Sequence, residues 1–171
     1  MATSKHSDLI LDQFTRQAVP FATAPSIKDE AALRLVVEFS GAGPDDTVLD
    51  VACGPGLIVV DSAPAPDKAD AFNRMEVVRD PSHVRALPEA EHLALFRKAG
   101  LPAPRVTHYR LEGELEALVA RSFPKPGDDA TLRRIFADSL AGDTLGIQAR
   151  RDPDGAIRYG YPVAVLAVQR P

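Results

Sequence analysis

This sequence predicts an α/β layer fold, on three observations. Apolar runs with the look of strands alternate with segments whose apolar residues recur at helical spacing. One such run, Val48 to Val51, leads into a small-residue turn, Ala52-Cys53-Gly54-Pro55-Gly56. The chain has 171 residues, of which 45% are hydrophobic, enough for one folded core and unlike a disordered chain. The expectation is a mixed sheet of about five strands with about six helices around it.

Ser7 caps a first helix from Asp8 to about Ala18, with Ile10, Phe14 and Ala18 on one face. A second helix starts at Pro25-Ser26, where Ser26 and Asp29 form an S-x-x-D cap. Its buried stripe is Ala32, Leu33, Val36 and Val37, and Gly41 and Gly43 end it. Thr47 to about Ala52 reads as a buried parallel strand. After the glycine turn, Leu57 to Asp61 reads as another strand, where a helix would be the usual continuation.

Asp67 caps a helix through Arg79, with Phe72, Met75 and Val78 inward and Pro81 ending it. Pro88 suits the first turn of a helix from Glu89 to Ala99, with Leu93, Phe96 and Ala99 inward; Gly100 stops it. Arg105 to Leu111 reads as a strand, and Glu114 to Arg121 as a short helix carrying Leu115, Leu118 and Val119. Asp128 opens a helix to about Leu140, with Leu132, Ile135 and Phe136 on one face. Two strands close the chain, Thr144 to Arg151 and Ala156 to Gln169, joined by the turn Asp152-Pro153-Asp154-Gly155.

Composition excludes several functions. Net charge is −4, so no basic face is implied and nucleic acid is a poor partner. No apolar run approaches the ~20 residues that span a bilayer. The N-terminus lacks the apolar core of a signal peptide. The single cysteine, Cys53, allows no internal disulfide, which suits a reducing compartment, and the expected location is cytoplasmic. His6, His83, His92 and His108 are scattered without metal-ligand spacing, so no metal site is expected. Cys53 as a nucleophile would need a base beside it; the plainer reading is a small residue in a tight turn.

The residues Val48-Leu49-Asp50-Val51-Ala52-Cys53-Gly54-Pro55-Gly56 resemble the first motif of class I S-adenosylmethionine-dependent methyltransferases. Residues from about Leu9 to Pro25 resemble the N-terminal helix and lid of the ubiquinone/menaquinone type, akin to methyltransferase type 11. The run Arg79-Asp80-Pro81-Ser82-His83-Val84-Arg85-Ala86-Leu87 resembles the loop after that family's fifth strand. The resemblance implies a Rossmann-like fold, S-adenosylmethionine as cofactor and a small-molecule acceptor. It implies cofactor contact for Asp50, Ala52, Cys53, Gly54 and Gly56. It also implies contact for Phe14 on the covering helix, although the plainer reading of Phe14 and Phe21 is as packing residues. Arg79 and His83, with Asp80, line a substrate cavity or else make a local ion pair and helix cap. No catalytic residue is assigned. Asp61, at a strand end, lies across the family's sheet from the ribose site.

The middle of the family's fold has no counterpart. Three strand–helix units at about 30 residues each, roughly a hundred residues, are absent between Gly56 and Leu57. The whole chain, 1–171, is therefore expected to be one truncated domain, with N-terminal helices and first motif in 1–56 and the C-terminal part of the fold in 57–171. The turn before Leu57 is too short for a parallel crossover, which takes at least ~10 residues. The chain there either doubles back as a hairpin or runs on into a second copy, and a domain-swapped homodimer is the expectation. The alternative to an enzyme is a non-catalytic dimeric remnant, a structural or binding module.

Overall fold

The structure, a computed structural model, describes residues 2–24, 28–41, 43 and 61–168. The expected strands at 47–52 and 57–60 and the candidate cofactor residues Asp50, Ala52, Cys53, Gly54 and Gly56 lie outside the described residues, as does Ser26. Among the described residues, six helices surround a three-stranded antiparallel sheet. The expected five strands are not supported, and every pairing described is antiparallel.

The central strand follows from its sequence. Strand β3, Ile157–Ala167, is buried along most of its length on both faces, as its nearly unbroken apolar run requires. Strand β1, Arg105–Glu114, pairs with it from Arg105 opposite Ala167 to Glu114 opposite Arg158. Strand β2 is only Arg150–Arg151, on the other edge, opposite Arg158 and Ile157. Gly155, at φ +88°, closes the intervening turn as expected. The segment leading out of 57–60 meets that same edge further along. Ser62 bridges Val163, Ala63 N–H donates to Pro162 at 2.8 Å, and Ala164 N–H donates to Asp61 O at 3.2 Å.

The expected strand at 144–149 is an irregular loop. Leu145 and Ile147 are buried, which produced the alternating pattern, but Asp143, Gly146 and Gln148 all have positive φ. Hydrogen bonds from Leu145 N–H to Ser139 Oγ and from Gln148 N–H to Asp143 Oδ1 replace the ladder.

Helix α1, Ala2–Thr23, runs past both expected ends. Ser7 therefore sits inside it rather than capping it, since no breaker precedes Asp8 and propagation adds a bond per residue. Its buried positions are Gln13 and Gln17; Phe14 is 64% exposed. Helix α2, Glu30–Ser40, is capped by Asp29, whose Oδ1 accepts from Ala31 and Ala32 N–H at 2.9 and 3.2 Å. Val36 is buried and Val37 exposed, so the stripe is narrower than the sequence suggested. Helix α3, Ala69–Arg79, starts one residue after Lys68, and Asp67 makes no cap. Phe72 and Met75 are fully buried on its inner face.

Helix α4, Glu89–Lys98, buries none of its residues. Acidic residues in its first turn and basic ones in its last match its dipole. Gly100, at φ +68°, ends it: its N–H donates to Arg97 O, and Leu101 N–H donates to Phe96 O. Helix α5, Leu115–Ser122, is capped by Glu114, and α6, Asp128–Ser139, follows. Phe72, Met75, Leu118, Leu132, Phe136, Ile147, Tyr159 and Tyr161 form the centre of the core between α3, α5, α6 and β3. No described helix is long and apolar enough to cross a membrane.

Candidate functional site

Strand β3, α3 and the loop after α3 make the floor of a cleft of about 600 Å³, and α1 and α2 stand over it. Its size falls in the range of small-molecule sites. Phe14 and Phe21 from α1, Leu33 and Val36 from α2, and Tyr109 from β1 give it a mainly apolar wall. Phe72 and Tyr161 meet edge to face in it, with ring centroids 5.3 Å apart.

The polar part is built on the end of α3. Arg79 donates to Glu76 twice from Nε, at 2.9 and 3.1 Å, and once from Nη2, at 2.7 Å. The Tyr161 hydroxyl donates to Glu76 Oε1 at 2.7 Å. The side chains of Arg79 and Glu76 are only 13% and 6% exposed. Burial alone would push Arg79 down, yet the Glu76 carboxylate outweighs it and holds the guanidinium above the ordinary arginine value. Burial, then Glu76, push the Tyr161 phenol well up, so it stays protonated and donates.

Asp80 follows. Its Oδ1 accepts from Ser82 N–H at 2.8 Å and Ser82 Oγ at 2.6 Å, and its Oδ2 accepts from Gln17 at 3.1 Å. Burial pushes its carboxyl up, but these bonds and Arg79 outweigh that and leave it below the ordinary value. Gln17 also donates to Ser122 O, and Gln13 to Phe123 O, so both buried amides of α1 are paired to chain far away in sequence. These pairings fix α1 over the cleft.

His83 lines the cleft, and its Nε2 lies 2.8 Å from Asn73 Oδ1. Burial, together with the Arg79 charge, outweighs the neighbouring carboxylates and lowers its pKa from the ordinary histidine value, which favours the neutral ring.

Among the residues singled out in sequence, Phe14, Arg79 and His83 thus line one cleft, with Asp80 and Asp61. Arg79 offers no unmatched positive charge there, because Glu76 takes it. Sequence reasoning missed Glu76, Asn73, Gln17 and Tyr161. Glu76 and Arg79 stand at i, i+3 spacing on one helix, a signal that was open to reading. The described residues contain no group of three or more metal-ligating side chains.

No family model matches the sequence, and no curated protein matches it. Solved structures do match. A putative methyltransferase from Bacillus halodurans superposes with TM-score 0.53 at 19% identity, over 62% of this chain and 50% of that one. The YcgJ protein from Bacillus subtilis gives 0.52 at 21%, over 62% of this chain and 46% of that one. The chain spans about half the length of these neighbours, and over that span it shares their fold.

Proposed function

We propose that the protein is a methyltransferase of the ubiquinone/menaquinone type that moves a methyl group from S-adenosylmethionine to a small, neutral acceptor in the cleft. The observation that carries this reading is the cleft itself: on a methyltransferase-like fold, α1 and the loop after α3 enclose a mainly apolar space of about 600 Å³. Its lining suits an uncharged organic acceptor, since its most buried cation, Arg79, is matched by Glu76 and carboxylates outnumber arginines around it.

The donor supplies an already activated methyl group, so the protein's task is alignment and, where the acceptor needs it, proton removal. Asp50, Ala52, Cys53, Gly54 and Gly56 would hold the methionine end, by resemblance of that run to the family's first motif. Among the described residues, Phe14 would cover the donor from α1, and its 64% exposure on the rim fits a residue that a ligand covers. Arg79 and Glu76 stiffen the floor and hold Tyr161; His83 faces the acceptor side.

A second reading has one observation in its favour. The chain spans only about half of its structural neighbours, as an internal loss of the middle strand–helix units would produce. In that reading the chain is a domain-swapped homodimer serving as a structural or binding module. Calorimetric titration with S-adenosylhomocysteine separates the two. Micromolar binding supports the enzyme; absence of heat and of a thermal shift leaves the remnant.

A further inference from the structure

Asn73 is held in one orientation by three backbone groups. Its Oδ1 accepts from Ala86 N–H at 2.7 Å, and its Nδ2 donates to Ala69 O at 2.8 Å and Ala86 O at 3.0 Å. An N–H can only donate and a carbonyl can only accept, so the amide has no alternative flip. Its Oδ1 is therefore an acceptor toward His83 as well. The His83 Nε2 at 2.8 Å must carry the proton. In a neutral imidazole the other nitrogen is then a bare lone pair. That Nδ1 has no hydrogen-bond partner among the described residues, and His83 lines the cleft.

We propose that His83 accepts the acceptor's proton at Nδ1, that Asn73 is the residue positioning it in the competent tautomer, and that the acceptor is a neutral phenol or comparably acidic hydroxyl. The inference rests on the methyltransferase reading for its reaction. The acceptor oxygen forms a bond to the methyl carbon as that carbon's bond to sulfur breaks, and the electron pair of the broken bond stays on sulfur. The hydroxyl proton passes to Nδ1 and then to solvent, which restores the neutral ring. The substrate class follows from the wall. Phe14, Phe21, Tyr109 and Tyr161 present aromatic surface, while Arg79 and Arg85 are paired with Glu76 and Glu91, and the carboxylates lining the cleft, Asp29, Asp61, Glu76 and Asp80, outnumber its arginines and disfavour an anionic acceptor.

The charged groups acting on His83 are Glu76 and Arg79 of α3, Asp80 in the following turn and Asp61 at the chain's approach to β3. Burial and the Arg79 charge together outweigh the three carboxylates and favour the neutral ring that a base requires.

The test reads the ring directly and needs no turnover. In 15N-labelled full-length protein at pH 8, long-range 1H–15N correlation should show His83 protonated at Nε2 and bare at Nδ1. Adding p-cresol should shift the Nδ1 resonance, and His83→Gln should remove that response and weaken p-cresol roughly 2- to 10-fold. Asn73→Ala should let the two tautomers mix; the wild-type spectrum decides the matter if that variant does not fold. A ring protonated at Nδ1, or an Nδ1 indifferent to p-cresol, overturns the inference. The functional reading fails separately. Donor binding with the wrong tautomer sinks only the base, whereas the right tautomer and a p-cresol response without donor binding sink only the enzyme.

Discussion

Replacing Glu76 by Gln removes a charge from the floor of the cleft and almost nothing else. Gln keeps the volume and an oxygen for the Tyr161 hydroxyl, which now donates to Glu76 at 2.7 Å. What is lost is the countercharge of Arg79, whose side chain is 13% exposed. Breaking a buried pair from one side costs about 3–5 kcal/mol, because the remaining ion is stranded. Here Arg79 enters through three contacts to that one carboxylate, with Asp80 nearby as a second negative charge. Asp80 softens the loss, so the expected cost is at the lower end, about 3 kcal/mol. At about 2–4 °C per kcal/mol for a chain of this size, the midpoint of melting falls by about 6–12 °C. Removing the stranded cation as well, in Glu76→Gln with Arg79→Met, should recover most of that loss. Urea unfolding of wild type, both single variants and the double variant at pH 7 gives the cycle. A single Glu76→Gln variant within about 1 kcal/mol of wild type, or a double variant worse than the sum of the singles, would refute the reasoning.

Other consequences are open to the same measurements. A Cβ at Gly113 would stand 2.5 Å from Cζ of Tyr159, its cross-strand neighbour. Gly113→Ala should therefore cost about 1–3 kcal/mol by urea titration, since that ring is also packed on Phe136 and Tyr161. Asp29→Ala removes the side-chain cap of α2 and should cost about 1 kcal/mol, which Asp29→Asn should largely restore. Stability should also decline on acidification in two stages. Burial keeps the folded His83 below its ordinary 6.5, so below that pH the unfolded chain takes up a proton that the folded one resists. Asp80 is held below its ordinary 3.8, so its contribution is present above that value and is lost as pH falls through the lower folded value. In His83→Gln the first stage should shrink while the second remains.

Much of the fold was readable because local signals agreed with tertiary demand. The apolar stripes of α3, α5 and α6 sit where Phe72, Leu118 and Leu132 meet the core. Gly41, Gly100 and Gly155 mark stops that need positive φ. Two kinds of feature escaped. Gln13 and Gln17 look like solvent-facing residues, and only partners 63 to 110 residues away make their burial possible. The alternating apolar residues at 145 and 147 read as a strand, but three positive-φ residues bury them from a loop instead. The site was half legible for the same reason. Arg79 and His83 stood out as chemistry-bearing residues in one short run. Their roles depend on Glu76, on Tyr161 from β3, 85 residues beyond Glu76, and on Asn73 held by the backbone of Ala86.

The most direct test of the central claim is a crystal of the protein soaked with S-adenosylhomocysteine. The account predicts the ligand bound with its sulfur toward the cleft between Phe14 and His83, beside the run Asp50 to Gly56. Ligand density away from that cleft, or a cleft left unchanged at saturating ligand, would contradict it.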